Sequence, residues 1–231
     1  KGRLSGLVVS IIIHSAFFTR RWSSREWQTV AGLLPEASLE RVQRFRRWQD
    51  GQLSALGVLL LRRALLSLGE DPQRVHTMRR DSQGRPLIGD GYDFNISHSG
   101  SGAVCAITTR GRVGIDLELL RVVDPQHFAL CMSAAQLEAV KHHENPSRAL
   151  LTLWVEKESV VKADGCAFNA DLRTLQRQGQ CYSLGAEIYT VAGVALHPDY
   201  LCCVAQCGAS ELVLEPVVWD GDLLPHQAEV L

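Results

Sequence analysis

The run FNISHSGSGAVCAITTRGRVGIDLELL, residues 94–120, commits this part of the chain to β-sheet. Ala103 to Thr108 reads as one strand, TRGR supplies a turn, and Val113 to Leu119 reads as a second strand, which predicts a hairpin. Ile115 and Leu117 form the buried face of the second strand. Asp116 and Glu118 are thereby thrown together on the other face. Two like charges side by side on one strand face destabilise it. A cation between them removes the conflict, and oxygen-only ligands suit a hard ion such as Mg²⁺. The plainer alternative is an exposed face with Lys or Arg partners.

The rest of the chain alternates strand and helix patterns. Leu7 to Ile13 reads as a buried strand. SSREWQTVAGLL begins with serines suited to capping a helix. The stretch from Ser38 to Gly69 is the longest helical pattern, although Gly51 and Gly57 lie inside it. DPQRVHTMRRDSQGRPLIGDGYD is turn-rich, with short strands around Val75 to Arg79 and Leu87 to Ile88. Ser133 and Gln136 have capping-box spacing, and a second long helix is expected from Pro146 to Gly165. From Arg173 to Leu231 strands and turns return, at EIYTVAGVAL, YLCCVAQC and ELVLEPVVW. The expectation is an α+β fold of two similar halves, 1–111 and 112–231, each with strands around a main helix.

Hydrophobic residues make up 46% of the 231, enough for a real core and too many for a disordered chain. LVVSIIIHSAFF is interrupted by polar residues and falls short of the roughly 20 needed to span a bilayer. It also lacks a small-residue cleavage site, so it reads as a strand and not as a signal peptide. The seven cysteines show no CxxC pair and no zinc-site spacing. They read as buried thiols of a protein in the reducing cytosol. Charge is uneven. Lys1 to Arg110 carries 16 basic and 9 acidic side chains, a balance of +7; the remainder carries 8 and 16, a balance of −8. A basic half that holds an anion beside an acidic half that holds a metal would explain the split, as would uneven surface solvation.

Two more segments carry chemistry. In LWVEKESVVKADG, Trp154, Glu158, Val161 and Lys162 fall on one helical face. Glu158 is a candidate third carboxylate for the metal and Lys162 a candidate ligand for phosphate oxygens; an ordinary i, i+4 ion pair is the alternative. In FNISHSG, Ser97, His98 and Ser99 bring hydroxyls, an imidazole and backbone N–H groups to one bend, which suits an anion. Turn chemistry alone would also place Ser and Gly there. There is no GxSxG elbow to suggest a serine hydrolase.

FNISHSG, GIDLE and WVEKESVVK, in this order and spacing, resemble the 4'-phosphopantetheinyl transferase superfamily. QGRPLI resembles the family's Gly-Lys/Arg-Pro segment. RFRRWQDGQLSALGVLLLRR, with Asp50, Gly57 and Arg62, resembles the long helix before it. The length is similar to the monomeric type that activates surfactin synthetase. The resemblance implies two halves related by pseudo-twofold symmetry with CoA at their junction. It also implies transfer of 4'-phosphopantetheine to a serine hydroxyl of an apo acyl or peptidyl carrier protein. Asp116, Glu118 and Glu158 would hold Mg²⁺, with Mn²⁺ as the alternative. Ser97 and His98 would meet the CoA 3'-phosphate, and Gly84, Arg85 and Pro86 would border the adenine. Arg41, Arg44, Lys157 and Lys162 are further phosphate candidates, and Glu158 and Lys162 the catalytic pair.

The resemblance further implies a cytoplasmic monomer serving nonribosomal peptide or polyketide synthesis, with no nucleic-acid or membrane partner. Arg46 and Arg47, on the basic half, are candidates for meeting an acidic carrier. Two other classes remain in view: a binding remnant that holds CoA or a carrier without catalysis, and a metal-dependent phosphoester hydrolase. One departure stands out. Gln136 occupies a position where many relatives have Glu, which keeps the capping box but puts any acid–base role there in question.

Overall fold

The computed structural model describes residues 8–166 and 171–219. Their elements are β1 (Val8–Phe17), α1 (Ser24–Leu33), α2 (Glu36–Gln43), α3 (Trp48–Ser67), β2 (Arg79–Arg80), β3 (Pro86–Leu87), β4 (Asp93–Ser99), β5 (Gly102–Thr108) and β6 (Val113–Leu119). There follow α4 (Ala134–Lys141), α5 (Pro146–Asp164), β7 (Arg177–Gln178), β8 (Cys181–Leu184), β9 (Glu187–Gly193), β10 (Tyr200–Cys207) and β11 (Glu211–Trp219). Leu7, and Asp220 to Leu231 of the expected C-terminal strand region, lie outside the described residues.

The result is α+β and four-layered. One sheet has the order β11-β1-β5-β4, the other β6-β10-β9-β8-β7. The faces follow the two-residue period of a strand. Val9, Ile11 and Ile13 of β1 and Val104 and Ala106 of β5 pack against Val113, Ile115, Leu117 and Val204 of the second sheet. The alternate residues Ala16, Ala103, Cys105 and Ile107 turn outward onto α3, beside Leu56, Leu60 and Leu61. On the far side α5 covers the second sheet, with Val155, Val160 and Val161 against Tyr182, Tyr189 and Val191. A fully buried leucine such as Leu60 stabilises the fold by about 2 kcal/mol. Among the described residues no helix is long and apolar enough to cross a membrane, and all seven cysteines are free.

Three expectations change. The long helical pattern is two helices, α2 and α3, broken at 44–47. Gly57 does not interrupt α3. A Cβ there would lie 2.7 Å from Ile96 Cγ2, so the glycine lets α3 lie close on β4. Around Val75 the chain forms a 3-10 helix, Pro72–Thr77, and the short strands are β2 and β3. The hairpin of 103–119 also does not form. Both strands exist, but β5 is already flanked by β1 and β4, while β6 leaves to pair with β10.

What joins β6 to the first sheet is a ladder of side chains. The backbone N–H groups of Val113, Ile115, Leu117 and Leu119 donate to Asp93 Oδ2 (2.7 Å), Asn95 Oδ1 (3.0 Å), Ser97 Oγ (3.4 Å) and Ser99 Oγ (3.1 Å). Four alternate polar residues of β4 thus satisfy the edge of β6, whose N–H groups would otherwise be left buried without partners.

Candidate functional site

The same ladder builds the acidic site. Ser97 Oγ also donates to Asp116 Oδ1 at 2.8 Å, and Ser99 Oγ to Glu118 Oε2 at 3.0 Å. Asp116 and Glu118 share a face of β6 with Gly114. A Cβ on Gly114 would collide with the Ser159 carbonyl and the Ala163 nitrogen, so α5 rests directly on that strand. Such contact brings three residues one helical turn apart over the carboxylates. Trp154 Nε1 donates to Glu118 Oε1 at 3.2 Å. Lys162 Nζ donates to Asp116 Oδ1 at 2.5 Å and to Ser97 Oγ at 3.0 Å. Between them Glu158 lines a cavity of about 280 Å³ with Asp116, Glu118, Trp154 and Lys162. Val161, expected on this face, is in the core instead.

Electrostatics here are strained in one respect. Burial, reinforced by the charges of Asp116 and Glu118, pushes the Glu158 carboxyl above its ordinary range despite the opposing Lys162. Asp116 is nearly buried, and its Oδ2 has no hydrogen-bond partner. An orphaned carboxylate oxygen among oxygen donors fits a hard cation. Among the described residues, though, no group of three or more acidic, His or Cys side chains converges at metal-binding distance.

A second cavity, of about 480 Å³, shares Ile96 and His98 with the first. Arg41 and Ser38 of α2, Arg79 and Arg80 of β2, and Pro86 of β3 line it. The His98 imidazole is held below its ordinary pKa by desolvation, then by Lys162 and Arg41. Arg79 and Arg80 escaped the sequence analysis. Their signal was a basic pair just before a Gly-Arg-Pro turn.

The structure brings Arg41, Pro86, Ser97, His98, Asp116, Glu118, Glu158 and Lys162 to these two joined cavities. It does not bring four others. Arg44 is exposed beyond α2 and pairs with Glu40 at 3.5 Å. Gly84 lines neither described cavity; it holds a turn at φ +80°.

Arg85 is buried between the sheets. Its Nη2 donates to Asp93 Oδ2 (2.6 Å), Val113 O (2.7 Å) and Phe94 O (3.3 Å), and its Nη1 to the Lys162 carbonyl. It therefore ties both sheets to the last turn of α5. Lys157 is fully buried and faces away from the cavity. Its Nζ donates to Leu172 O (2.6 Å), Gln136 Oε1 (2.7 Å) and Cys131 O (3.1 Å). Burial lowers its pKa to about 8. The expected phosphate role fails for Lys157 because its ammonium is already spent on three oxygens. Gln136 completes its capping box and, through Lys157 and Leu175 O, pins α4 to α5.

The fold and cavities thus define an α+β protein in which a cationic cavity opens into an acidic one. A family model described as 4'-phosphopantetheinyl transferase, N-terminal, matches residues 20–110. A second, described as the 4'-phosphopantetheinyl transferase superfamily, matches residues 112–189. The chain is 33% identical over 144 residues to the 4'-phosphopantetheinyl transferase AcpT of Salmonella typhi, covering 58% of this chain and 68% of that one. It is 25% identical over 210 residues to the 4'-phosphopantetheinyl transferase Sfp of Bacillus subtilis (strain 168), covering 81% and 93%. It is 32% identical over 139 residues to the 4'-phosphopantetheinyl transferase gsp of Aneurinibacillus migulanus, where the match spans 58% of each. The chain belongs to the 4'-phosphopantetheinyl transferase superfamily.

Proposed function

We propose that this chain moves the 4'-phosphopantetheine group of CoA onto a serine hydroxyl of an apo acyl or peptidyl carrier protein, giving holo carrier and 3',5'-ADP. The observation that carries this reading is the continuity, at Ile96 and His98, of an arginine-lined cavity with one lined by Asp116, Glu118, Glu158 and Lys162. The 3'-phosphate of CoA suits the first cavity and its pyrophosphate the second.

In this reading Arg41, Arg79, Arg80 and His98 bind the 3'-phosphate, and Pro86 borders the adenine. Asp116, Glu118 and Glu158 would hold a divalent cation, Mg²⁺ or Mn²⁺. Bound there, it would neutralise charge on the pyrophosphate. Glu158, which lines the second cavity, takes the proton of the carrier serine. The serine oxygen bonds to the phosphorus that carries pantetheine, and the bond from that phosphorus to the ADP oxygen breaks. Lys162, held by Asp116 and Ser97, faces the charge that develops on the departing ADP. Its holder Ser97 is occupied by Asp116, Lys162 and the Leu117 N–H, so it positions these groups and does not bind phosphate. The protein works as a cytoplasmic monomer in peptide or polyketide synthesis.

Intact mass spectrometry tests the reading. The chain is mixed with CoA, Mg²⁺ and a panel of apo carrier proteins, with EDTA and Glu158→Gln as controls. A gain of one phosphopantetheine that both controls abolish is the expected result. Phosphate release from CoA without any carrier would point to a hydrolase and overturn it. CoA binding with no transfer to any carrier would point to a binding remnant.

A further inference from the structure

A third cavity lies outside both of these. It has a volume of about 590 Å³, and its walls include Trp22 and Trp27 from the α1 region and Phe45 and Trp48 from the α2–α3 junction. Arg21 and Arg47 line it as well. The groove is built, not incidental. Trp22 and Trp27 stack at 5.9 Å, and Trp48 packs on Phe18 at 5.7 Å. Gln52, buried beneath, accepts from the Trp22 N–H at 2.9 Å and donates to the Arg20 carbonyl at 3.0 Å, fixing the approach to α1.

Its rim is unusual in sequence. Arg44, Phe45, Arg46, Arg47 and Trp48 are consecutive and all exposed, with Phe45 at 37% and Trp48 at 36%. Arg21, Arg46 and Arg47 make no ion pair among the described residues. Exposed aromatics set among arginines are the composition of a protein–protein hot spot. Uncompensated positive charge around an apolar groove selects an acidic partner that carries a protruding apolar side chain. Helix α2 lends Val42 to the groove and Ser38 and Arg41 to the arginine-lined cavity, so a partner in the groove would sit next to the nucleotide site.

We propose that this groove docks an acidic surface of the carrier protein, one apolar side chain entering between Trp22, Trp27, Phe45 and Trp48 while Arg21, Arg46 and Arg47 meet its carboxylates. The proposal rests on the transferase reading above and adds to it the surface by which the second substrate is recognised. The nucleotide site lies across α2, so the groove governs carrier affinity and leaves CoA affinity alone.

The test is steady-state transfer to one apo carrier by wild type, the double variant Arg46→Glu/Arg47→Glu, and Phe45→Ser. The expected result is a carrier KM raised about tenfold in both variants, with CoA KM and kcat at saturating carrier unchanged. The wild-type carrier KM should rise with salt, and the double variant should lose that dependence. A carrier whose surface acids at the contact are reversed to lysine should restore a low KM to the double variant. An unchanged carrier KM in variants that still turn over would overturn the proposal and leave the transferase reading standing. Equal rises in both KM values would also overturn it, by assigning these arginines to CoA. A concentration-dependent dimer of the wild type that the variants abolish, at unchanged carrier KM, would give the groove to a second copy of the chain. Failure of the wild type on every carrier would instead remove the transferase reading, and the proposal with it.

Discussion

Gly114 of β6 and Ser159 of α5 are in backbone contact: a Cβ on the glycine would stand 2.1 Å from the Ser159 carbonyl oxygen. The Cβ position is fixed by the Gly114 backbone and the carbonyl is main chain, so neither can rotate away. Gly114→Ala should push α5 off the second sheet, lowering stability by about 1–3 kcal/mol and separating Lys162 from Asp116. Gly193→Ala, in the same sheet with only the Cys202 carbonyl at 4.0 Å, serves as control. Urea unfolding compares the two, and equal stability would show that α5 does not need this approach.

Lys157 should behave as a structural residue. Lys157→Met leaves the Cys131 and Leu172 carbonyls and Gln136 Oε1 without their shared donor, at a cost of roughly 3 kcal/mol. CoA affinity, measured by calorimetry on the folded fraction, should stay at the wild-type value. A large loss of affinity with unchanged stability would restore Lys157 to the phosphate site.

His14 makes stability depend on pH. Trp219 Nε1 donates to His14 Nδ1 at 2.8 Å, so the imidazole is neutral and its Nε2 carries the proton that faces Ser67 Oγ at 3.0 Å. Burial, aided by Arg63, lowers its pKa from 6.5 to about 4. The unfolded chain therefore binds more protons between these values, and stability falls as pH drops through that window. The full loss is on the order of 3 kcal/mol and is complete below the folded pKa. His14→Gln should flatten this part of the stability curve, as chemical denaturation at stepped pH would reveal. An unchanged slope would assign the dependence to other groups.

His98 gives a different pH signature. Desolvation, Lys162 and Arg41 keep its imidazole below the ordinary pKa in the free protein, whereas a bound phosphate would favour the protonated ring. Binding of CoA should take up a proton, and affinity should tighten from about pH 7.5 to about pH 5.5. His98→Gln should reduce that dependence. Equal pH profiles for the two proteins would place the phosphate elsewhere.

Period and capping were readable from the residues. The alternation of Val113 to Leu119 and the Ser133–Gln136 box reappear as β6 and the start of α4. Partners were harder. Periodicity tells which face of β6 is buried but not which strand lies beside it, and the hairpin fails on that point. A signal did exist: Asp93, Asn95, Ser97 and Ser99 alternate as hydrogen-bonding side chains along β4, more than one turn would require. Cations were harder still. Lys162 and Lys157 sit in one motif, yet the first faces the cavity and the second is buried on oxygens of the loops behind α5. Helical phase separates them only once it is known that Gly114 fixes which side of α5 meets the sheet.

The parallel pairing of β11 with β1, Val8 against Glu211 through Ala16 against Trp219, closes the first sheet with residues about two hundred positions away. During synthesis the first sheet waits, with one flank of β1 unsatisfied, until the ribosome has released the chain through Trp219. The second sheet, built from β6 to β10, is complete sooner. A gene cut near residue 111, between β5 and β6, would therefore yield a first fragment with a bare, sticky edge. Supplying the β11 segment with that fragment, by fusion or as a peptide, is what a split version of this protein would require.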